Sequence, residues 1–463
     1  MAFKKNQVVT VRIDDLTDLG FGVGRVDGAV VFVSDTVPGD VCEVKIIKVN
    51  KTYLVGRAEK YIELSDKRVT DRCNERACKS CAYKNVSYAC EAAFKEDGVR
   101  RLFSTSALEG ITTAPITVSP AATRYRNKAQ YPIALVGGEY KVGFFAPKSH
   151  RVTPISDCPL TPAVFSEICA ELCAYFKEYN VSVYDEESGK GLLRHIYLRQ
   201  GEVSGEILVT VVINGEKLPA EQKLANRISE KFPAVVGVLL NVNKENTNVV
   251  LGSEYRTLSG RDYIYDTLAG VRLKITAPSF YQVNHGSAEL LYAKAKELAR
   301  PEKNDTLLDL FCGAGSIGLS MADSVGELVG IEIVDSAVEC AKENARDTGV
   351  QNAHFFTGDA TETEQLLANA ERQLGRKLTP DIVILDPPRA GCDERLVRFV
   401  STLNAKRIVY ISCNPKTLAR DVVIFRECGY DTDTVYPFDL FPMTGHVESV
   451  VSLTRGFDVD MRR

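Results

Sequence analysis

The sequence predicts an α/β chain whose last third is a parallel, doubly wound sheet, preceded by a small β-barrel and an α+β unit. Three observations carry this expectation. From Thr306 onward, apolar runs end in turns and most continue with helical periodicity, the pattern of repeated β–α units. Residues 7–60 alternate apolar and polar positions in short runs broken by glycine and proline. Residues 115–276 hold paired strand-like runs around turns, the pattern of antiparallel hairpins.

Length and composition agree with this division. The 463 residues leave room for three units at about 150 residues each. With 45% hydrophobic and 25% charged residues, the chain can bury a sizeable core. VVGVLL at 235–240 is among the longest apolar runs, far short of the ~18 residues of a membrane span. The start, MAFKKNQVVT, has no signal-peptide apolar stretch, so the cytoplasm is the expected location, with no membrane partner. Lys+Arg 57 against Asp+Glu 61 gives a net charge of −4, so a nucleic-acid surface has to be local. Thirteen cysteines, an odd count, point to reduced, metal-binding or catalytic thiols.

In chain order, QVVTVRI, AVVFVS, VCEVKIIKV and TYLVGRAEKYI are the barrel strands, separated by Gly20, Gly22, Gly24, Gly28, Pro38 and Gly39. Periodicity stops between Thr70 and Cys81, where cysteine and charge take over. Helices are expected over 85–109, 162–179 and 218–232. QYPIALVGGEYKVGFFA, RHIYLRQGEVSGEILVTVVI and VVGVLLNVNKENTNVVLG each read as two strands around a turn. The expected units are 1–60, 70–272 and 273–463, with the helix of 85–110 placed to pack on the last.

The chemistry is written at the strand ends of the last unit. Asp309-Leu-Phe-Cys-Gly-Ala-Gly-Ser316 follows a strand and opens a helix, and its glycines let backbone approach a ligand closely. Glu332, at the end of the next strand, is placed to accept two ribose hydroxyls. Nicotinamide enzymes use such an acid too. The discriminators are Gly358-Asp359 after the third strand, suited to an adenine edge, and Asp386-Pro-Pro-Arg389 after the fourth. Together the loops resemble those of class I S-adenosylmethionine (SAM)-dependent methyltransferases. Arg389 stands where amine-methylating relatives carry an aromatic, which leaves Asp386 as a hydrogen-bonding group at the reaction site. Cys413 ends the fifth strand, before Pro415 at the start of a helix, where the helix N-terminus and Lys416 favour thiolate. Cys340, Cys428 and Cys90 read as small core residues. Residues 437–448 bring His446 and Glu448 back toward the same crevice.

SFYQVN at 279–284, DLFCGAGSIG, GIEIV, DPPRAGCD, YISCNPKTLARD and FDLFPMTGHVE resemble, in order and spacing, the RNA uracil-5 methyltransferases that make 5-methyluridine. Residues 7–60 look like the TRAM domain, an RNA-binding barrel of the ribosomal members, so the likeness spans nearly the whole chain. The resemblance implies SAM contacts from Gln282, Phe311, Glu332, Asp359 and Asp386, with Cys413 as nucleophile and Glu448 as base. Ser316 and Asp359 stand where some relatives carry Asn. It implies methylation of an unpaired uridine in 23S large-subunit ribosomal RNA, of the Gram-positive type, with no obligate protein partner. A transfer-RNA uridine methyltransferase and a non-enzymatic iron–sulfur RNA-binding protein are the alternatives.

Cys73, Cys78 and Cys81, with distant Cys158, resemble the four-cysteine motif that holds a [4Fe–4S] cluster in that family. The first spacing is one residue shorter than in some relatives. Such a cluster is expected to be structural, away from the methyltransferase crevice. Residues 121–151 carry Arg124, Arg126, Lys128, Lys141, Lys148 and Arg151 against Glu139, interleaved with Tyr125, Tyr131, Tyr140, Phe144 and Phe145. That mix suits phosphate contacts and base stacking on unpaired RNA.

Overall fold

The computed structural model describes residues 3–75, 77–360, 362 and 365–455. Strands β1 (Val8–Leu16), β2 (Gly22–Val26), β3 (Ala29–Ser34), β4 (Val41–Val49) and β5 (Tyr53–Glu63) close into a barrel in the order β1-β2-β3-β5-β4. Alternation drives the closure. Val11 and Ile13 of β1 and Cys42, Val44 and Ile46 of β4 point inward and meet Val31, Val33 and Leu54. Each such apolar side chain contributes about 1.5–3 kcal/mol on burial.

Helix α1 (Tyr88–Phe103) is shorter than its apolar pattern and ends at Ser104. It buries Val99 and Phe103 in the core of the C-terminal unit, and β6 (Thr112–Thr113) then joins the edge of the C-terminal sheet.

The central sheet comprises β7 (Lys128–Val136), β8 (Glu139–Phe145), β9 (Val152–Pro154), β10 (Leu193–Gln200), β11 (Ile207–Ile213), β12 (Val235–Val242) and β13 (Glu254–Gly260). Their order is β13-β12-β11-β10-β7-β8-β9. Helices α2 (Ala163–Glu178) and α3 (Glu221–Lys231) contribute Phe165, Leu172, Leu224 and Ile228 to its core. Two departures from the expected hairpins appear. β11 and β12 pair in parallel, because α3 carries the chain across between them. The second half of VVGVLLNVNKENTNVVLG is a loop rather than a strand. Asn243 Nδ2 donates to the carbonyls of Val249 and Val250 at 2.8 and 3.0 Å, and the Arg194 guanidinium holds those of Asn243 and Glu245. The partner of β12 is β13 instead.

A hairpin, β14 (Tyr263–Leu268) and β15 (Val271–Thr276), shares its core with α4 (His285–Ala299). The C-terminal sheet follows with β16 (Thr306–Leu310), β17 (Glu327–Glu332), β18 (Ala353–Thr357), β19 (Ile382–Leu385), β20 (Arg407–Ser412), β21 (Tyr430–Asp431), β22 (Thr434–Phe438) and β23 (Glu448–Arg455). Helices α5 (Ser316–Leu319), α6 (Asp335–Thr348), α7 (Ala368–Leu374), α8 (Glu394–Thr402) and α9 (Pro415–Glu427) intervene. The order is β18-β17-β16-β19-β20-β23-β22-β6, with β21 beside β23. The first five strands are parallel, and β23 runs antiparallel to β20. The winding reverses between β16 and β19, which opens a crevice at the carboxyl ends of the strands. Because β23 runs the other way, its first residue lies at that same edge.

Candidate active site

The crevice is the mouth of a cavity of about 950 Å³. Near the end of β16, Asp309 Oδ2 accepts the Gly318 N–H at 2.9 Å, while Oδ1 is buried without a hydrogen-bond partner. Burial pushes this carboxyl up to about 8. The turn after β16 needs left-handed backbone at Phe311, Gly313 and Gly315, with φ of 64°, 54° and 82°. At Gly315 a Cβ would also stand 3.1 Å from the Phe355 ring, a tight contact that adds to the left-handed backbone in favouring glycine. Glu332 closes the loop by accepting from the N–H groups of Gly313 at 3.1 Å and Val334 at 3.0 Å. The result is an open backbone cradle beside a carboxylate, with a buried acceptor unused beneath it. That arrangement fits the hydroxyl- and amine-bearing end of a nucleoside cofactor.

Cys413 follows β20, just before the N-cap Asn414, whose side chain accepts from the Lys416 N–H. Ser412 pairs with Ser449 across β20 and β23, so the residues preceding and following that pair, Glu448 and Cys413, are brought together. Burial, then the carboxyls of Glu448 and Asp386, push the Cys413 thiol up to about 11, with Arg389 acting against them. The expectation of a lysine-favoured thiolate is therefore corrected. Lys416 turns away to pair with Asp18 of the barrel at 3.1 Å. Glu448 is buried and pushed up to about 8, first by burial and then by Asp386, opposed by Arg389. Burial alone takes Asp386 to about 7. An Arg389 nitrogen stands 2.6 Å from His446 Nδ1. A guanidinium only donates, so that ring nitrogen accepts and His446 is neutral. Burial, then Arg389, pulls the His446 pKa down, which leaves Glu448 the stronger base of the two.

The structure brings Gln282, Phe311, Glu332, Asp386, Cys413 and Glu448 onto the lining of one cavity. Asp359 follows β18 at the same sheet edge but is not a lining residue. Cys73, Cys78, Cys81 and Cys158 line that cavity too, which corrects their expected separation from the crevice. Burial, then the neighbouring Cys158, Cys78 and Cys73, push the Cys81 thiol up to about 12. Among the described residues, no group of three or more His, Cys, Asp or Glu could hold a single metal ion. Cys340 and Cys428 are half-buried, and Cys90 is half-buried against the small core of Leu16, Val37, Tyr83 and Val86.

The basic stretch divides. Tyr125, Tyr131 and Tyr140 are buried, with hydroxyls on Pro442 O, Thr161 Oγ1 and Val181 O, so they are core and not stacking platforms. Arg124 is bound to Asp157 at 2.9 Å. Arg126 and Lys128 line the cavity, and burial, then Arg199 and Arg126, lower the Lys128 pKa to about 8. Sequence reasoning missed Phe280, an exposed aromatic on the cavity rim, and the buried ions Glu91, Lys95 and Asp439. A glutamate and lysine four apart on a helix look like an ordinary surface pair, and nothing local announces Asp439. Among the described residues, no helix is long and apolar enough to cross a membrane.

Comparison with known proteins adds the following. Residues 108–456 match the family model described as tRNA (Uracil-5-)-methyltransferase, and residues 2–58 match that of the TRAM domain. An uncharacterized RNA methyltransferase of Halalkalibacterium halodurans is 37% identical over 97% of both chains. Another, from Listeria innocua, is 36% identical over 97% of this chain and 98% of its own. The crystal structure of Pyrococcus abyssi tRNA (uracil-54, C5)-methyltransferase, in complex with S-adenosyl-L-homocysteine, is 26% identical. It superposes with a TM-score of 0.77 over 96% of this chain and 100% of that one.

Proposed function

We propose, since this chain belongs to the tRNA (uracil-5-)-methyltransferase family, that it methylates carbon 5 of an unpaired uridine in 23S ribosomal RNA through a covalent bond from Cys413. The enzyme is an RNA methyltransferase that uses SAM, and its TRAM domain belongs with an RNA substrate. The observation that carries the finer reading is the meeting of Cys413 and Glu448 at adjacent strand ends, beside Asp386 and Arg389. In this reading the functional units are 1–60, 70–272 and 273–463, and the enzyme works in the cytoplasm.

Bound SAM supplies an electrophilic methyl group on a sulfonium; Gln282, Phe311, Glu332, Asp359 and Asp386 would hold it. Carbon 5 of uracil is too weak a nucleophile to take that methyl unaided. The half-buried Cys413 thiol passes its proton to solvent at the cavity mouth and its sulfur adds to carbon 6, which places an electron pair on the uracil enolate and makes carbon 5 nucleophilic. After methyl transfer, Glu448 removes the carbon 5 proton, the electrons return to the ring, and the carbon–sulfur bond breaks. Two features suit these residues to the sequence of steps. Asp386 and Glu448 are neutral over much of the range below their raised pKa values, so Arg389 is the charge that Cys413 then faces. Burial that raises the pKa of Glu448 also makes its carboxylate a stronger base.

Transfer RNA is the second reading. The archaeal tRNA enzyme matches 96% of this chain, so possession of an N-terminal barrel does not by itself separate the two substrates. Mass-spectrometric mapping of 5-methyluridine in RNA from cells lacking this protein distinguishes them. Loss from 23S RNA is expected; loss from transfer RNA alone would replace the ribosomal reading.

The same reading includes a [4Fe–4S] cluster on Cys73, Cys78, Cys81 and Cys158. Such a cluster spreads four thiolates over four irons, so convergence on a single ion is not required, and the presence of all four cysteines on the lining of one cavity supports the grouping. Protein purified without oxygen should hold iron and acid-labile sulfide in near-equal amounts. Stoichiometric zinc, or no metal, would exclude the cluster.

A further inference from the structure

Residues 439–446, the strap that leads to Glu448, are held backbone group by backbone group from outside the C-terminal sheet. Ser287 donates to the Asp439 carbonyl at 3.1 Å and Asn284 to that of Leu440 at 3.0 Å. Lys95 Nζ reaches the Phe441 carbonyl at 3.1 Å, and the Tyr125 hydroxyl reaches that of Pro442 at 3.0 Å. Glu91 Oε1 accepts the Met443 N–H at 2.6 Å, while the Tyr83 N–H donates to the Met443 carbonyl at 3.0 Å. Met443 is left-handed at φ 67°, a conformation that a side-chain-bearing residue holds only when its surroundings impose it. Its side chain is buried against Tyr125, Leu160 and Cys158, with Cys81 beside them. At Gly445 a Cβ would fall 1.9 Å from the Asp18 carbonyl of the barrel, so the hairpin loop after β1 bears directly on the strap.

At the centre lies a buried ion network. Lys95 Nζ is 2.8 Å from both Glu91 Oε1 and Asp439 Oδ1, and Arg72 Nη1 is 2.6 Å from Glu91 Oε2. All four side chains are 10% exposed or less. Buried ions are poor stabilisers compared with apolar packing, and their best use is to fix one arrangement. This network joins the cysteine segment, through Arg72, to α1 and to the start of the strap.

We propose that the cysteine segment and α1 form a positioning frame for the catalytic base, with Lys95 its central positioning residue, so that this frame sets the release step rather than methyl transfer. The inference rests on the proposed Cys413–Glu448 reaction. Cys413 and Asp386 stand on other strand ends, and the strap reaches their side of the cavity through His446 on Arg389, so loosening it disturbs thiol addition and methyl transfer less than it disturbs the aim of Glu448. The cysteines, packed on Met443, are thereby coupled to the base.

Removing Lys95 alone strands two buried carboxylates beside one arginine, so the test uses Lys95→Met combined with Asp439→Asn, which leaves the Arg72–Glu91 pair intact. Tyr125→Phe is a milder second variant that deletes the Pro442 contact alone. Each is given uridine RNA and SAM, with single-turnover methyl transfer and the denaturation-resistant methylated protein–RNA adduct followed separately. The double variant should release product about tenfold more slowly, with methyl transfer within about threefold of wild type, so the adduct accumulates. Tyr125→Phe should shift the same ratio by about twofold, and the conservative single variant Lys95→Arg should keep it close to the wild-type value. Methyl transfer and release falling together, or neither changing in variants that bind SAM normally, would overturn the frame. If wild-type protein forms no adduct even with 5-fluorouridine RNA, the Cys413–Glu448 reaction itself falls, and this inference with it.

Discussion

Cys413 and Glu448 stand on adjacent strands, yet the chain fixes them by different means. Cys413 is held locally. Its strand, the N-cap Asn414, Pro415 and α9 follow one another in sequence, and the thiol is only half buried. Glu448 is buried, with only 6% of its surface exposed, and the strap before it is held by residues as distant as Glu91, Lys95 and Tyr125. A nucleophile has to reach the substrate, whereas a base gains strength from seclusion, and the two modes of support follow from that difference.

The largest expected effect separates the two groups outright. Cys413→Ala should bind SAM but form neither adduct nor 5-methyluridine. Glu448→Gln should form the adduct and methylate it, then hold it, seen as a methyl-labelled band that survives denaturation. Full turnover by Cys413→Ala would remove the nucleophile from this scheme. Rapid release by Glu448→Gln would move the base to His446 or Asp386.

This contrast also explains what could be read in advance. Asp309, Glu332, Asp386 and Cys413 each end a strand and begin a turn within a few residues, so their placement follows from a local pattern plus the rule for doubly wound sheets. Glu448 was legible as the residue before the last strand. Its support was not, because Lys95 and Asp439 are 344 residues apart and each looks ordinary alone. The barrel strands were legible from alternation, but the parallel β11–β12 pair was not, because one apolar run fits either direction. The tyrosines after Arg124 misled, since composition does not say which face of a strand points inward.

The pH dependence sharpens the comparison. Glu448 acts as base only when ionised, so release of the methylated adduct should rise about tenfold per pH unit below about 8 and level off above it. Alkylation of Cys413 by iodoacetamide in the resting protein should be slow at neutral pH and climb toward about 11. A release step that is flat between pH 6 and about 8 would argue against the buried carboxyl as base.

Stability should register the same burial. Asp309, Asp386 and Glu448 have pKa values raised above those of the unfolded chain, so the folded state holds the extra protons. Their contribution is full below about 4, the range of free carboxyls, and is lost as pH rises through about 7 to 8. Glu448→Gln, which needs no proton, should therefore melt a few degrees above wild type at pH 8.5 and show little gain at pH 5. An equal gain at both pH values would assign the effect to packing instead. The smallest effect belongs to Lys416→Ala. Its ammonium is exposed on Asp18, so Cys413 alkylation should change by less than about twofold.

The most direct test of the covalent reaction is to incubate wild-type protein with SAM and 5-fluorouridine-substituted RNA, digest the denatured complex, and locate the RNA-linked peptide by mass spectrometry. Fluorine at carbon 5 cannot be removed as a proton, so the complex should be trapped after methyl transfer, with one methylated nucleotide on the peptide containing Cys413. A nucleotide linked to Cys73, Cys78, Cys81 or Cys158, or methylation with no covalent complex at all, would contradict it.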